Sequence, residues 1–150
     1  MYNKSKRIVV AIDGSSTSRR ALREAVKLAK ERRSALRIVH VVDLINVNVE
    51  TPYNLTEYEA SVRKTGDQIL KRAAAIADKA GVEAKTRLLE VRQFGDRIAN
   101  EIAREAKDWQ ADLIVIGTHG RRGFSHLFLG SVAESVMRIA PTSVLLIRSR

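Results

Sequence analysis

A change of hydrophobic period, repeated from one end to the other, most constrains how this chain can fold. Short apolar runs rich in β-branched residues alternate with segments whose apolar residues recur every three or four positions. "RIVVAID" (residues 7–13) reads as a strand buried on both faces. "GSSTS" follows, rich in N-cap types. The helix after it, to about Arg33, carries Leu22, Ala25, Val26 and Ala29 on one face. Residues 35–43 form a second strand, and residues 44–54, with Pro52, an irregular connection. A long helix opens near Thr56, turns Ile69, Ala73, Ile76, Ala77 and Ala80 inward, and ends on Gly81 at C′. Residues 82–91 make a third strand, whose partial alternation suits a less covered sheet position. Gly95 and Asp96 lead into a helix with Ile98, Ala99, Ile102, Ala103 and Ala106 on one face. "DLIVIG" (residues 112–117) is the fourth and most buried strand. A fourth helix carries Val132, Ala133, Val136, Met137 and Ala140 and stops at Pro141. The fifth strand opens with Thr142 and closes with Arg148.

Five strands alternating with four helices predict an α/β fold: one open, doubly wound parallel sheet with helices on both faces. No repeat, low-complexity tract or linker interrupts the 150 residues, so one domain is expected. Ligands of such sheets bind beyond the carboxyl ends of the strands, where the strand order reverses. Asp13, Asp43 and Gly117 all fall at or near such ends.

Composition removes several function classes. With no cysteine, disulfides, thiolate catalysis and Cys-ligated metal sites are excluded. The opening apolar run stops at Asp13, too soon for a signal peptide, and no stretch approaches the roughly 20 apolar residues of a membrane span. A cytoplasmic protein without a transmembrane segment is expected. The net charge of +10 is uneven. Residues 1–37 hold eleven Lys/Arg against three Asp/Glu, a balance of +8. Arg19, Arg23, Lys27 and Lys30 fall on one stripe of the first helix. Such a stripe is expected first to be a solvated helix face, with a docking surface for an acidic protein, an anionic membrane or nucleic acid as the sharper alternative. Nucleic acid is not the expected partner: aromatic interleaving and the known recognition patterns are absent.

The connection "IGTHGRRGFSHLFLGSVAESV" (residues 116–136) holds Gly117, Gly120, Gly123 and Gly130, four of the chain's eight glycines. Gly130 and Ser131 open the fourth helix, whose unpaired N–H groups and dipole favour phosphate. Gly130 lets the backbone approach closely, and Ser131 can cap the helix. Gly117 and Gly120 remove Cβ atoms where a sugar or base would lie against the chain. Arg121 and Arg122 add charge, and Asp13 can accept from a ribose hydroxyl or ligate Mg²⁺. The same glycines could also serve a tight connection without any ligand. A Walker A loop, a G-x-G-x-x-G fingerprint and a G-x-S-x-G elbow are absent. Among the histidines, His40 lies inside a strand and reads as a packed or hydrogen-bonded structural residue, while His119 sits between two loop glycines.

Gly117, Gly120, Gly130 and Ser131 match G-x2-G-x9-G-[ST] without a gap, and here the chain resembles the ATP-binding branch of the universal stress protein family. The resemblance extends over the whole chain, through its opening strand and first helix and the closing half from Ala111. It implies strand order 3-2-1-4-5 and an ATP site, with ADP or AMP as alternatives and Mg²⁺ beside them. Carried over residue by residue, Asp13 would hold the ribose or metal-bound phosphates, and Ala11 and Ile12 would line the pocket. Val41 would contact the adenine through its backbone. Gly117, His119 and Gly120 would lie along the ribose and phosphates. Gly130, Ser131 and Val132 would cradle the phosphates through N–H groups. The resemblance also implies a homodimer through the last strand. Thr118 replaces a frequent serine, and residues 44–54 are the least family-like part. The expected role is a regulatory, stress-response module working through nucleotide-dependent shape or a protein partner. No general base for water is evident, so catalytic residues are not assigned. Slow ATP hydrolysis, or a nucleotide-free interaction module using the basic first helix, are the alternatives.

Overall fold

A computed structural model of the chain describes residues 6–45, 54–119 and 129–149. Its elements follow the alternation in the sequence. They are β1 (Arg7–Ala11), α1 (Ser16–Arg32), β2 (Ala35–Asp43), α2 (Leu55–Lys79), β3 (Ala84–Val91), α3 (Ile98–Asp108), β4 (Leu113–Gly117), α4 (Ser131–Ile139) and β5 (Ser143–Ile147). The strands form one parallel sheet in the order β3-β2-β1-β4-β5.

Successive side chains of a strand point to opposite faces, and the buried strands supply two cores in this way. Ile8, Val10 and Ile12 pack with Leu22, Val26, Leu70, Ala73 and Ala77, under α1 and α2. Val9, Ala11, Val39 and Val41 pack with Ala99, Ile102, Ala106 and Val136, under α3 and α4. β3, expected to be less covered, is an edge strand with Lys85, Thr86 and Arg87 exposed. Strand order reverses at β1, which lies between β2 and β4.

Helix ends carry recognisable chemistry. Ser15 caps α1, its side chain accepting from the Ser18 N–H. Asn54 caps α2 in the same way through the Thr56 N–H. Gly81, one residue past the C-cap Ala80, has φ +79°, as the C′ position requires.

Two expectations about α4 change. Met137 is 47% exposed rather than buried, and Ile139 is exposed with it. In a helix of nine residues only Ala133 and Val136 reach full burial, and Met137 turns off that face. Ser131 is the first helical residue, and Gly130 holds the N-cap position without a side-chain bond.

Candidate functional site

The carboxyl edge of the sheet opens into a cavity of about 720 Å³. Its floor is Ala11, Ile12 and Asp13 from the end of β1, with His40 to Asp43 from β2. Ile116 to His119 from β4 and Gly130 to Ala133 from α4 form one wall. Tyr58, Ser61, Val62 and Thr65 of α2 form the opposite wall, and Ile98 and Ile102 of α3 contribute apolar surface.

Local hydrogen bonds hold the β1 end in place. The Ser15 N–H donates to Asp13 Oδ1 at 2.9 Å. The Asp13 N–H donates to Ser18 Oγ at 3.3 Å, and that hydroxyl donates to the Ser15 carbonyl at 3.0 Å. Gly14, at φ +85°, makes the sharp turn that this network needs. His40 braces it from β2: its Nδ1 lies 2.7 Å from the Ile12 carbonyl. A carbonyl only accepts, so Nδ1 carries the hydrogen. His40 is thus the structural residue expected, and it also lines the cavity. Gly66 explains how α2 comes close enough to close this side. A Cβ there would stand 2.7 Å from Leu88 Cδ1 and 3.1 Å from His40 Cδ2.

The two ends of the glycine-rich connection are clamped together. The Thr118 N–H donates to the Ile147 carbonyl at 2.9 Å, and the Gly130 N–H donates to the Thr118 carbonyl at 2.7 Å. The Gly130 N–H, expected to face phosphate, is thus engaged within the chain, while Gly130 itself still lines the cavity. The first intrahelical bond of α4 runs from the Glu134 N–H to the Gly130 carbonyl. The N–H groups of Ser131, Val132 and Ala133 precede it and have no partner within the helix. All three residues line the cavity, Ala133 together with the expected Ser131 and Val132. Gly117 has a packing reason as well. A Cβ on it would stand 2.8 Å from Thr17 Cγ2, so its bareness lets α1 pack against β4.

His119 is buried, at 8% exposure, and its Nδ1 lies 2.9 Å from Thr118 Oγ1. Its Nε2 is buried without a hydrogen-bond partner among the described residues. An orphaned ring nitrogen of this kind is costly unless a ligand satisfies it.

Of the residues singled out in the sequence, Ala11, Ile12, Asp13, Val41, Gly117, His119, Gly130, Ser131 and Val132 line this one cavity. Gly120, Arg121, Arg122 and Gly123 lie outside the described residues. Sequence reasoning missed Ala133 and the α2 wall. Helical periodicity could have placed Tyr58, Val62 and Thr65 on one side of α2, but not against this edge.

The family model for the universal stress protein family matches residues 4–148. The chain belongs to the universal stress protein family. Universal stress protein YxiE of Bacillus subtilis is 35% identical over 156 residues, covering 99% of this chain and all of that protein. A crystal structure of a universal stress protein family member from Burkholderia pseudomallei is 32% identical. It superposes with a TM-score of 0.78 over 99% of this chain and all of that one. The universal stress protein from Archaeoglobus fulgidus in complex with dAMP is 30% identical, with a TM-score of 0.67 over 95% of this chain and 97% of that one. Among the described residues of this universal stress protein, no helix is long and apolar enough to cross a membrane.

Proposed function

We propose that the protein is an adenine-nucleotide-binding regulatory module, with ATP as the ligand and its nucleotide-dependent shape or partners as the output. One observation carries this reading. Ser131, Val132 and Ala133, whose first-turn N–H groups have no partner within α4, line the same cavity as His119, whose buried Nε2 has no hydrogen-bond partner among the described residues. A helix N-terminus of this kind favours phosphate, and His119 Nε2 gives the ligand a further polar contact. The dAMP complex of the Archaeoglobus fulgidus relative supports an adenine nucleotide in particular.

In this reading Ser131, Val132 and Ala133 hold the phosphates, and Asp13 meets the ribose or a phosphate-bound metal. Ala11, Ile12 and Val41 line the base, while Gly117, His119 and Gly120 flank the ribose and phosphates. Three or more metal-ligating side chains do not cluster anywhere among the described residues. Mg²⁺ would therefore bind through Asp13 and the phosphates together and keep several waters, which suits its coordination habits. The family match supports reading the 150 residues as one universal stress protein domain.

Calorimetry of Mg-ATP with the wild type and with Gly130→Val tests the reading. Gly130 has φ −62° and ψ 154°, ordinary extended backbone, so valine meets no backbone strain there. Its side chain would crowd the phosphates, and affinity should fall about 100-fold or more, roughly 2.7 kcal/mol. Equal affinity in a folded variant would remove phosphate binding at α4.

A further inference from the structure

Among the described residues, every ion pair uses Arg37, Arg63, Arg87, Arg92, Arg104 or Arg138. None uses a cation of α1, although Glu24 and Glu31 share that helix. Arg19, Arg23, Lys27 and Lys30 are all exposed. Their spacings of four, four and three residues set them in one row about 16 Å long. Like charges at these spacings repel one another. Six arginines outside α1 thus pair with carboxylates, whereas the cations of this row have none within ion-pairing distance among the described residues. The Arg19 guanidinium donates only to the Gly14 carbonyl, at 3.3 Å.

The row borders a groove. Between α1 and α2 lies a cleft of about 70 Å³ whose apolar lining includes Leu22, Ile69 and Ile76. Arg19 and Arg72 line it as well, one from each helix, and neither has a carboxylate within ion-pairing distance among the described residues. The groove has room for one aliphatic side chain between two cations.

The surroundings select among anionic partners. The large apolar side chains exposed among the described residues are Leu55, Phe94, Leu129, Met137 and Ile139, none of them on α1. A membrane surface would find no apolar anchor beside the row. Neither row nor groove offers an aromatic ring for base stacking. A phosphodiester backbone has nothing to place in an apolar cleft. A peptide has both parts: carboxylates for the row and an aliphatic side chain for the cleft.

We propose that the α1–α2 groove and the α1 row together form a docking site for an acidic segment of another protein. One aliphatic side chain of the segment seats against Ile69 and Ile76, between Arg19 and Arg72. Its carboxylates run along Arg23, Lys27 and Lys30. Ile12 and Ser18 line both this groove and the large cavity, so the two sites lie back to back. The docking site stands whatever occupies the cavity.

The test is selection of a phage-displayed random peptide library on the full chain, followed by fluorescence anisotropy of the labelled winners at about 0.15 M salt. The expected winners carry several Asp or Glu around a Leu, Ile or Val. Their affinity should fall about tenfold or more in Arg19→Glu/Arg72→Glu, and again in Arg23→Glu/Lys27→Glu, whose exposed positions leave the core untouched. Failure to enrich any peptide, enrichment of peptides without acidic residues, or equal binding to both variants would overturn the proposal. So would a labelled single-stranded oligonucleotide, or a phosphatidylserine vesicle, that binds more tightly than the best peptide and is lost in the same variants.

Discussion

At the scale of single residues, the glycines divide by cause. Gly117 is bare because Thr17 fills the space, Gly14 because the turn needs a positive φ, and Gly66 because α2 lies on His40 and Leu88. Gly117→Ala should destabilise the protein by about 1–3 kcal/mol, the usual cost of overpacking. Adding Thr17→Ser, which deletes Cγ2, should restore part of that loss in chemical denaturation. It should not restore all of it, because the Thr17 backbone carbon would still lie 3.3 Å from the new Cβ. Full additivity of the two changes would contradict this assignment. The spacing of Gly117 was visible in the sequence, but its reason was not, since Thr17 is a hundred residues away. Gly130 gives the same lesson: its position marks the start of α4, whereas its N–H bond to Thr118 depends on how β4 and α4 meet. Ala133 could not be placed at the cavity from the motif, because a residue that can offer only its backbone leaves no mark on residue type.

At the scale of elements, strand and helix types were legible because the hydrophobic period switches cleanly at each boundary. β2 runs over Ala35–Asp43, the same nine residues that the apolar run predicts. β1 stops at Ala11, two residues before the run ends, because the chain turns through the Asp13 network. Charged residues within elements were less legible. Glu105 of α3 is buried, at 6% exposure, and accepts from Arg37 and Arg87 of neighbouring strands. Arg37 also stacks 4.3 Å from the centre of the Trp109 ring. Helical period sets position 105 beside Ile98 and Ile102, but a glutamate there reads by residue type as solvated. Glu105→Ala should cost about 3 kcal/mol by thermal or chemical unfolding, the low end for breaking a buried pair because Arg87 is half exposed. A loss below about 0.5 kcal/mol would mark the pair as a mere surface contact. Glu90 of β3 gives a pH-dependent counterpart. Hydrogen bonding from Arg63, against the opposing effect of burial and with help from Arg92, holds its carboxyl below the usual glutamate range. A lowered folded-state value means that the unfolded chain takes up the proton first. The stabilisation is therefore complete above the unfolded value of about 4.3 and is lost as pH falls through the lower folded value. Unfolding curves between roughly pH 6 and 2 should show Glu90→Gln converging on the wild type at the acid end, and parallel curves would contradict this.

At the scale of the molecule, the parallel order β3-β2-β1-β4-β5 brings β1, β2, β4 and the start of α4 to one edge, so residues scattered from Ala11 to Ala133 share one cavity. That convergence was legible in the sequence because carboxyl ends of parallel strands must lie together. The α2 wall was not, since it depends on how closely Gly66 lets that helix approach. β5 is the other sheet edge, with Val144 to Ile147 only half-buried, and Met137 and Ile139 of α4 are exposed as well. An apolar edge of this kind favours pairing with a second copy through the strand between Thr142 and Arg148. Sedimentation should give a dimer that Leu145→Lys converts to monomer; a wild-type monomer at every concentration would rule the pairing out. The central claim concerns the cavity, and it is tested most directly by denaturing freshly purified protein and identifying the released small molecules by mass spectrometry. The account predicts an adenine nucleotide, ATP or its hydrolysis product, approaching one per chain. An empty extract, followed by no thermal shift on adding Mg-ATP, would contradict it.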